Sequence, residues 1–283
     1  MAERFIGSTE HKRLFCKMFV DTHIPFKTSD ISWPELDPEA TARLKAMPIW
    51  TEAVNTELET GIKVKSLGES EKDPVMAEAV RLNGYEEQRH YELLLALTKR
   101  YQIPIELRPV PPVEKKPLWA FMRVGYAECF DSFFAFGLFH FAAKSGFFPN
   151  ALVDLFEPVM QEEARHILFF ANWTAYNHVR KPRWLRPAHV FENGLAASVQ
   201  AVNRLKMALD VGGGEVDENF MMNAHESFGD ISPREFIEKC LSESDRRMSR
   251  YDPRLLRPRL VPNTARFVLK FLSKQKPHPA PTA

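Results

Sequence analysis

Apolar residues in this chain recur at steps of three and four within long blocks, and no stretch alternates as a half-buried strand would. Val80, Leu94 and Leu97 mark such a helical period over 75–101, and Asp73-Pro74 ahead of it reads as a cap followed by proline in the first turn. Asp37-Pro38 repeats that signal and opens a segment running to about 67, bent or interrupted at Pro48. A short helix is expected around 14–20, then an irregular arm with Pro25 and Pro34. Residues 118–145 are apolar nearly all round, which predicts a central helix. A fourth long helix is expected over 151–179. Between the second and third, the stretch 103–117 holds five prolines and reads as a long crossover.

Further helices are expected at 184–211, ending at the glycines 212–214, and at 218–228, 233–250 and 263–274, before a disordered tail at 277–283. The fold class is therefore all-α: a four-helix bundle with one long crossover and additional C-terminal helices. The corresponding organisation is an N-terminal arm (1–37), a four-helix core (38–180), a C-terminal helical extension packed on the core (181–276) and the tail.

Composition agrees with long helices joined by proline-marked turns: 45% hydrophobic, 27% charged, 22 Phe, 12 Gly and 21 Pro in 283 residues. A net charge of +1 calls for no nucleic acid or membrane surface, but the charge is uneven. Residues 246–276 carry ten Lys and Arg against the single acid Asp252. That basic segment either docks an acidic carrier or redox partner or covers an acidic bundle, and charge balance favours the cover. Three widely spaced cysteines form neither a disulfide framework nor a zinc knuckle. The first residues lack the apolar run of a signal peptide, and 133–143 is too short to span a bilayer, so a cytoplasmic protein is the expectation.

The chemistry lies in two near-copies, Glu86-Glu87-Gln88-Arg89-His90 and Glu162-Glu163-Ala164-Arg165-His166. At a spacing of i, i+3 on a helix, Glu87 with His90 and Glu163 with His166 each offer one carboxylate and one imidazole on one face. One such pair is ordinary on a solvated helix; two on separate long helices make two half-sites for metal. Glu57 lies 30 residues before Glu87, and Glu128 lies 35 before Glu163, the separation of a helix, a turn and an antiparallel return. Glu128 sits among Tyr126, Phe130, Phe133 and Phe134, where an ionised carboxylate is costly unless paired or metal-bound. On the first helix Glu52 and Glu59 are alternatives to Glu57. Carboxylates with imidazoles suit iron or manganese, whereas zinc would draw more His or Cys.

These twin strings resemble those of the ferritin-like non-haem di-iron carboxylate superfamily, over roughly residues 38–180. The resemblance implies a ferritin-like bundle holding two Fe ions, or Mn or a mixed Mn/Fe pair, on Glu57, Glu87, His90, Glu128, Glu163 and His166. Glu86, Glu162 and Asp131 are candidate acceptors for the N–H groups of the metal-bound imidazoles; ion pairs with Arg89 or Arg165 are their plainer role. Ser132, Phe121, Leu94 and Phe170 are the candidate pocket, within an apolar lining that also includes Trp50, Val54, Val159 and Trp173.

The expected function is activation of dioxygen, as an oxidase or monooxygenase, on a small apolar or aromatic substrate, with an external electron donor. Ser132 follows Glu128 by one turn, where several monooxygenases of the superfamily carry a hydroxyl. Leu94 stands where a ribonucleotide reductase radical subunit would carry tyrosine, which argues against that role. Val159 occupies the position of the extra histidine of the arylamine N-oxygenases. The alternatives are ferritin-type iron oxidation and storage, and a helical scaffold whose Glu and His are merely ion-paired. A monomer or homodimer fits the enzyme, and a cage-sized assembly fits storage.

Overall fold

A capping side chain ahead of a proline opens three of the helices. Asp37 accepts from the Ala40 N–H ahead of Pro38, Asp73 from the Val75 and Met76 N–H groups ahead of Pro74, and Ser232 from the Glu235 N–H ahead of Pro233. Each oxygen satisfies a donor that the first turn leaves free, and proline sits where no N–H is needed. The computed structural model describes residues 5–146, 148–209 and 231–272. Among them the order is α1 (Thr9–Asp21), α2 (Pro38–Ala46), α3 (Trp50–Ser70), α4 (Pro74–Arg100), α5 (Pro117–Ser145), α6 (Asn150–Asp154), α7 (Glu157–Arg180), α8 (Arg186–Leu209), α9 (Pro233–Met248) and α10 (Leu260–Val268). Among the described residues there is no strand, and no helix is long and apolar enough to cross a membrane.

The helix expected over 151–179 is divided into α6 and α7. Pro158 enters the first turn of α7, and its ring and missing N–H forbid continuation from Asp154. The expected interruption at Pro48 likewise separates α2 from α3. The last helix begins at Leu260 rather than 263, because Pro262 is tolerated within a first turn. The glycines at 212–214, the helix expected at 218–228 and the tail at 277–283 lie outside the described residues.

Helices α3 and α4 run side by side in opposite directions, with Gly61 beside Gln88 and Gly84 beside Lys65. A Cβ on Gly84 would stand 3.1 Å from the Lys65 backbone nitrogen, so glycine is what lets the two backbones come so close. On the other side, a Cβ on Gly125 of α5 would collide with the Phe170 ring of α7. Helix α5 packs on α3, α7, α8 and α9, while α1 lies across α4 and α7. Two apolar clusters hold this together. The larger includes Phe15, Phe19, Phe121, Phe133 and Phe169; the smaller, built on Leu44, Trp50, Leu97 and Tyr101, closes the end where α2 and α6 meet α3 and α4. The polar site lies between α3, α4, α5 and α7.

Candidate metal centre

Four helices each turn a carboxylate toward one point. Glu57 of α3, Glu87 and His90 of α4, and Glu163 of α7 form one group whose donor atoms lie within 4.8 Å of one another; Glu87, Glu128 of α5 and His166 of α7 form a second. Glu87 is common to both. His90 Nδ1 lies 3.2 Å from Glu163, 3.7 Å from Glu57 and 4.0 Å from Glu87, and His166 Nδ1 lies 2.8 Å from Glu87 and 3.9 Å from Glu163. The two imidazoles are 5.7 Å apart, centre to centre. The structure thus turns Glu57 inward. Glu52 instead pairs with Arg108, and Glu59 with Lys63 and Arg108.

The outer edges of the imidazoles are held by the other motif's first glutamate. His90 Nε2–H donates to Glu162 and His166 Nε2–H to Glu86, each at 2.9 Å. The arginines cross over as well: Arg89 donates to Glu162, and Arg165 to Glu86. All four residues of these pairs are buried. Each Glu-Glu-x-Arg-His string therefore completes the other, and the two roles considered for Glu86 and Glu162, imidazole acceptor and arginine partner, coexist in each residue. Asp131, partly buried on α5, belongs to neither carboxylate–imidazole group.

An ionised carboxylate only accepts, so in the neutral imidazole Nε2 carries the proton and the Nδ1 lone pair faces the centre. Nδ1 of both histidines and Oε1 of Glu87 and Glu128 are buried without a hydrogen-bond partner among the described residues. Glu87 Oε1 and His166 Nδ1 approach to 2.8 Å without aligning as donor and acceptor. Two lone-pair donors side by side, directed at neither each other nor the protein, are the arrangement a shared cation satisfies. Charge points the same way. Burial, augmented by Glu87 and Glu163 and countered by His90, raises Glu57 to about 8, and burial with the charges of Glu87 and Glu163 holds Glu128 well above the ordinary carboxylate value. Outside, burial also works to raise Glu86, but hydrogen bonds from His166 and His23 and the charge of Arg165 bring it down to about 2. Burial works to lower both imidazoles, yet His90 is raised by its hydrogen bond to Glu162 and the nearby carboxylates of Glu163 and Glu57, and His166 by the charge of Glu87 and its bond to Glu86. The donor set thus fits metal: Glu57 and Glu128 are short of positive charge inside, and Glu86 is an ionised anchor outside.

Sequence reasoning missed the arm. His23 donates from Nδ1 to Glu86, and Arg89 Nη1 donates to the Ile24 and Phe26 carbonyls at 2.9 and 3.3 Å while stacking over the Phe26 ring. An irregular segment has no periodicity to announce such contacts; only the histidine itself was a signal. The four candidate pocket residues are not gathered around one space. Ser132 Oγ donates to Glu163 Oε2 at 3.0 Å, Phe121 packs edge-on to Phe170 and Trp173, and Leu94 belongs with the smaller apolar cluster. Phe170 alone of the four lines a cavity of about 370 Å³ between α5, α7 and residues 256–262.

Within the basic segment, Arg247 is buried and donates through Nη1 and Nη2 to Glu157 at 2.9 and 2.8 Å, and Arg266 pairs with Asp245. These cations are engaged with acids of the chain itself. No protein-family model, no curated protein and no solved structure matches this chain.

Proposed function

We propose that the chain is a ferritin-like di-iron carboxylate oxidoreductase that uses dioxygen to oxidise a small apolar or aromatic substrate, as a monooxygenase or oxidase. The observation that carries this reading is the meeting of two carboxylate–imidazole groups that share Glu87, each braced by the other motif's glutamate and arginine. Glu57, Glu87, His90, Glu128, Glu163 and His166 would hold the metals. Two iron ions bound there would supply the one-electron steps that reduce dioxygen.

The chain's own part is positioning and exclusion. Glu86 and Glu162 keep both Nδ1 lone pairs inward, and Arg89 and Arg165 pair with those carboxylates and hold them in place. The Ser132 hydroxyl steadies Glu163 through Oε2, leaving Oε1 toward the imidazoles. Phe19 stacks on His166 and, with the larger apolar cluster, keeps bulk water from the centre. An external electron donor is required.

Oxygen consumption by the iron-loaded, reduced chain tests the reading. An organic oxidation enzyme consumes oxygen catalytically only when a suitable apolar substrate and a donor are present, and yields oxidised product. A storage protein instead consumes oxygen in proportion to added Fe(II) and accumulates many irons per chain. A metal-free scaffold consumes none.

A further inference from the structure

The cavity of about 370 Å³ lies on the outer side of α5 and α7, against the turns that carry Glu128 and His166, and is closed by residues 256–262. It falls within the size range of small-molecule sites. Its walls are largely apolar, with Phe133, Ile167, Phe170, Leu260 and Val261 among them. Tyr126, Thr174, Ser244, Arg257 and Arg259 break this lining, and two of them carry a buried polar atom without a partner among the described residues. Thr174 Oγ1 is buried without a partner, and Arg257 Nη1 is buried with no acceptor among the described residues, although Nη2 of the same guanidinium donates to the Tyr251 carbonyl at 2.9 Å. The acid nearest in sequence, Asp252, is taken by Arg254, and Asp245 pairs with Arg266. Arg257 as a whole is partly buried, and that burial lowers its pKa against the raising charge of Asp252.

A guanidinium N–H withdrawn from water and left unpaired is costly, whereas a carboxylate brought to it makes a strong charge-assisted hydrogen bond. Arg257 also borders a second, more polar cleft shared with Arg259 and Arg266, so it stands where an apolar chamber meets a basic mouth. A neutral apolar guest would leave Nη1 unsatisfied, and a cationic one would be repelled.

We propose that this cavity is a binding site for an apolar monocarboxylate, its head paired with Arg257 and its apolar body between Phe133 and Phe170. The proposal does not depend on the metal reading, because binding requires only the cavity and the arginine.

Decanoate and decan-1-ol are the probes, titrated calorimetrically into the full chain at neutral pH. Decanoate binds once per chain and roughly tenfold or more tighter than the alcohol. Arg257→Met removes that advantage and leaves the alcohol's affinity as it was, while Arg257→Lys retains part of it. Ala171→Phe, which fills the chamber from α7, abolishes binding of both probes in a chain with an unchanged unfolding midpoint. Equal decanoate affinity in the parent and Arg257→Met chains overturns the proposal. So does undiminished binding by folded Ala171→Phe.

Discussion

Glu86 of α4 and Arg165 of α7 form a buried pair across two helices, although Arg89 lies on Glu86's own helix three residues away. The same carboxylate accepts from His166 Nε2, so one residue neutralises a buried cation and orients an imidazole of the centre. Glu162 repeats the arrangement with Arg89 and His90.

Glu86→Gln keeps the shape but takes away the nearer counter-charge of the buried Arg165, leaving it only Glu162 at 3.7 Å, an acid already paired with Arg89. Chemical denaturation should show a loss of about 3–5 kcal/mol, the range for breaking a buried pair on one side. Metal competition should show affinity falling by roughly 10–100-fold, because the His166 tautomer is no longer enforced. Arg165→Lys should restore neither property to the Glu86→Gln chain.

The metal-free chain should lose stability as pH rises. Glu57, raised from 4.5 to about 8 chiefly by burial, binds more protons folded than unfolded in that window, so its contribution to stability falls across it. His90 and His166, raised above 6.5, act in the same direction above that pH. Glu86, lowered to about 2, does the opposite, but only below 4.5. Thermal unfolding between pH 6 and pH 9 should therefore show a falling midpoint without metal. Metal affinity should rise over the same interval, with protons released on binding.

Packing between α5 and α7 rests on Gly125. Gly125→Ala drives a methyl into the Phe170 ring and should cost about 1–3 kcal/mol. Added to Phe170→Leu it should cost clearly less than it does alone. Double-mutant denaturation checks this, and simple additivity would show that the two residues do not meet.

The basic segment contains pairs of unequal weight. Glu157→Gln takes the acid from the buried Arg247 and should lower stability by about 1–3 kcal/mol, below the range of a fully buried pair because Glu157 is partly exposed. Arg254→Ala removes exposed contacts to Glu10 and Asp252 and should leave the unfolding midpoint unchanged.

Much of this was legible in the sequence, for local reasons. Asp37-Pro38, Asp73-Pro74 and Ser232-Pro233 mark helix starts because capping and proline act within one turn. Glu87 with His90 and Glu163 with His166 share faces by helical geometry, and the matched separations of Glu57 and Glu128 pointed to the remaining carboxylates. What depends on the meeting of distant segments was not legible. Helical spacing pairs Glu86 with Arg89, whereas packing gives it Arg165 and His166. His23 reaches Glu86 from an arm without periodicity, and the Arg257 cavity exists only because residues 256–262 fold back over α5 and α7. The break at Pro158 was readable in principle, but the apolar period continuing through it obscured the end of α6.

The two carboxylate–imidazole groups that share Glu87 are proposed to hold a pair of metals. Iron bound per chain after anaerobic loading and desalting tests this most directly, in the parent chain and in Glu87→Ala. About two irons per chain are expected in the parent and fewer than about one in the variant, with both chains folded. A parent chain that retains no metal, or a Glu87→Ala chain that still retains two, would contradict it.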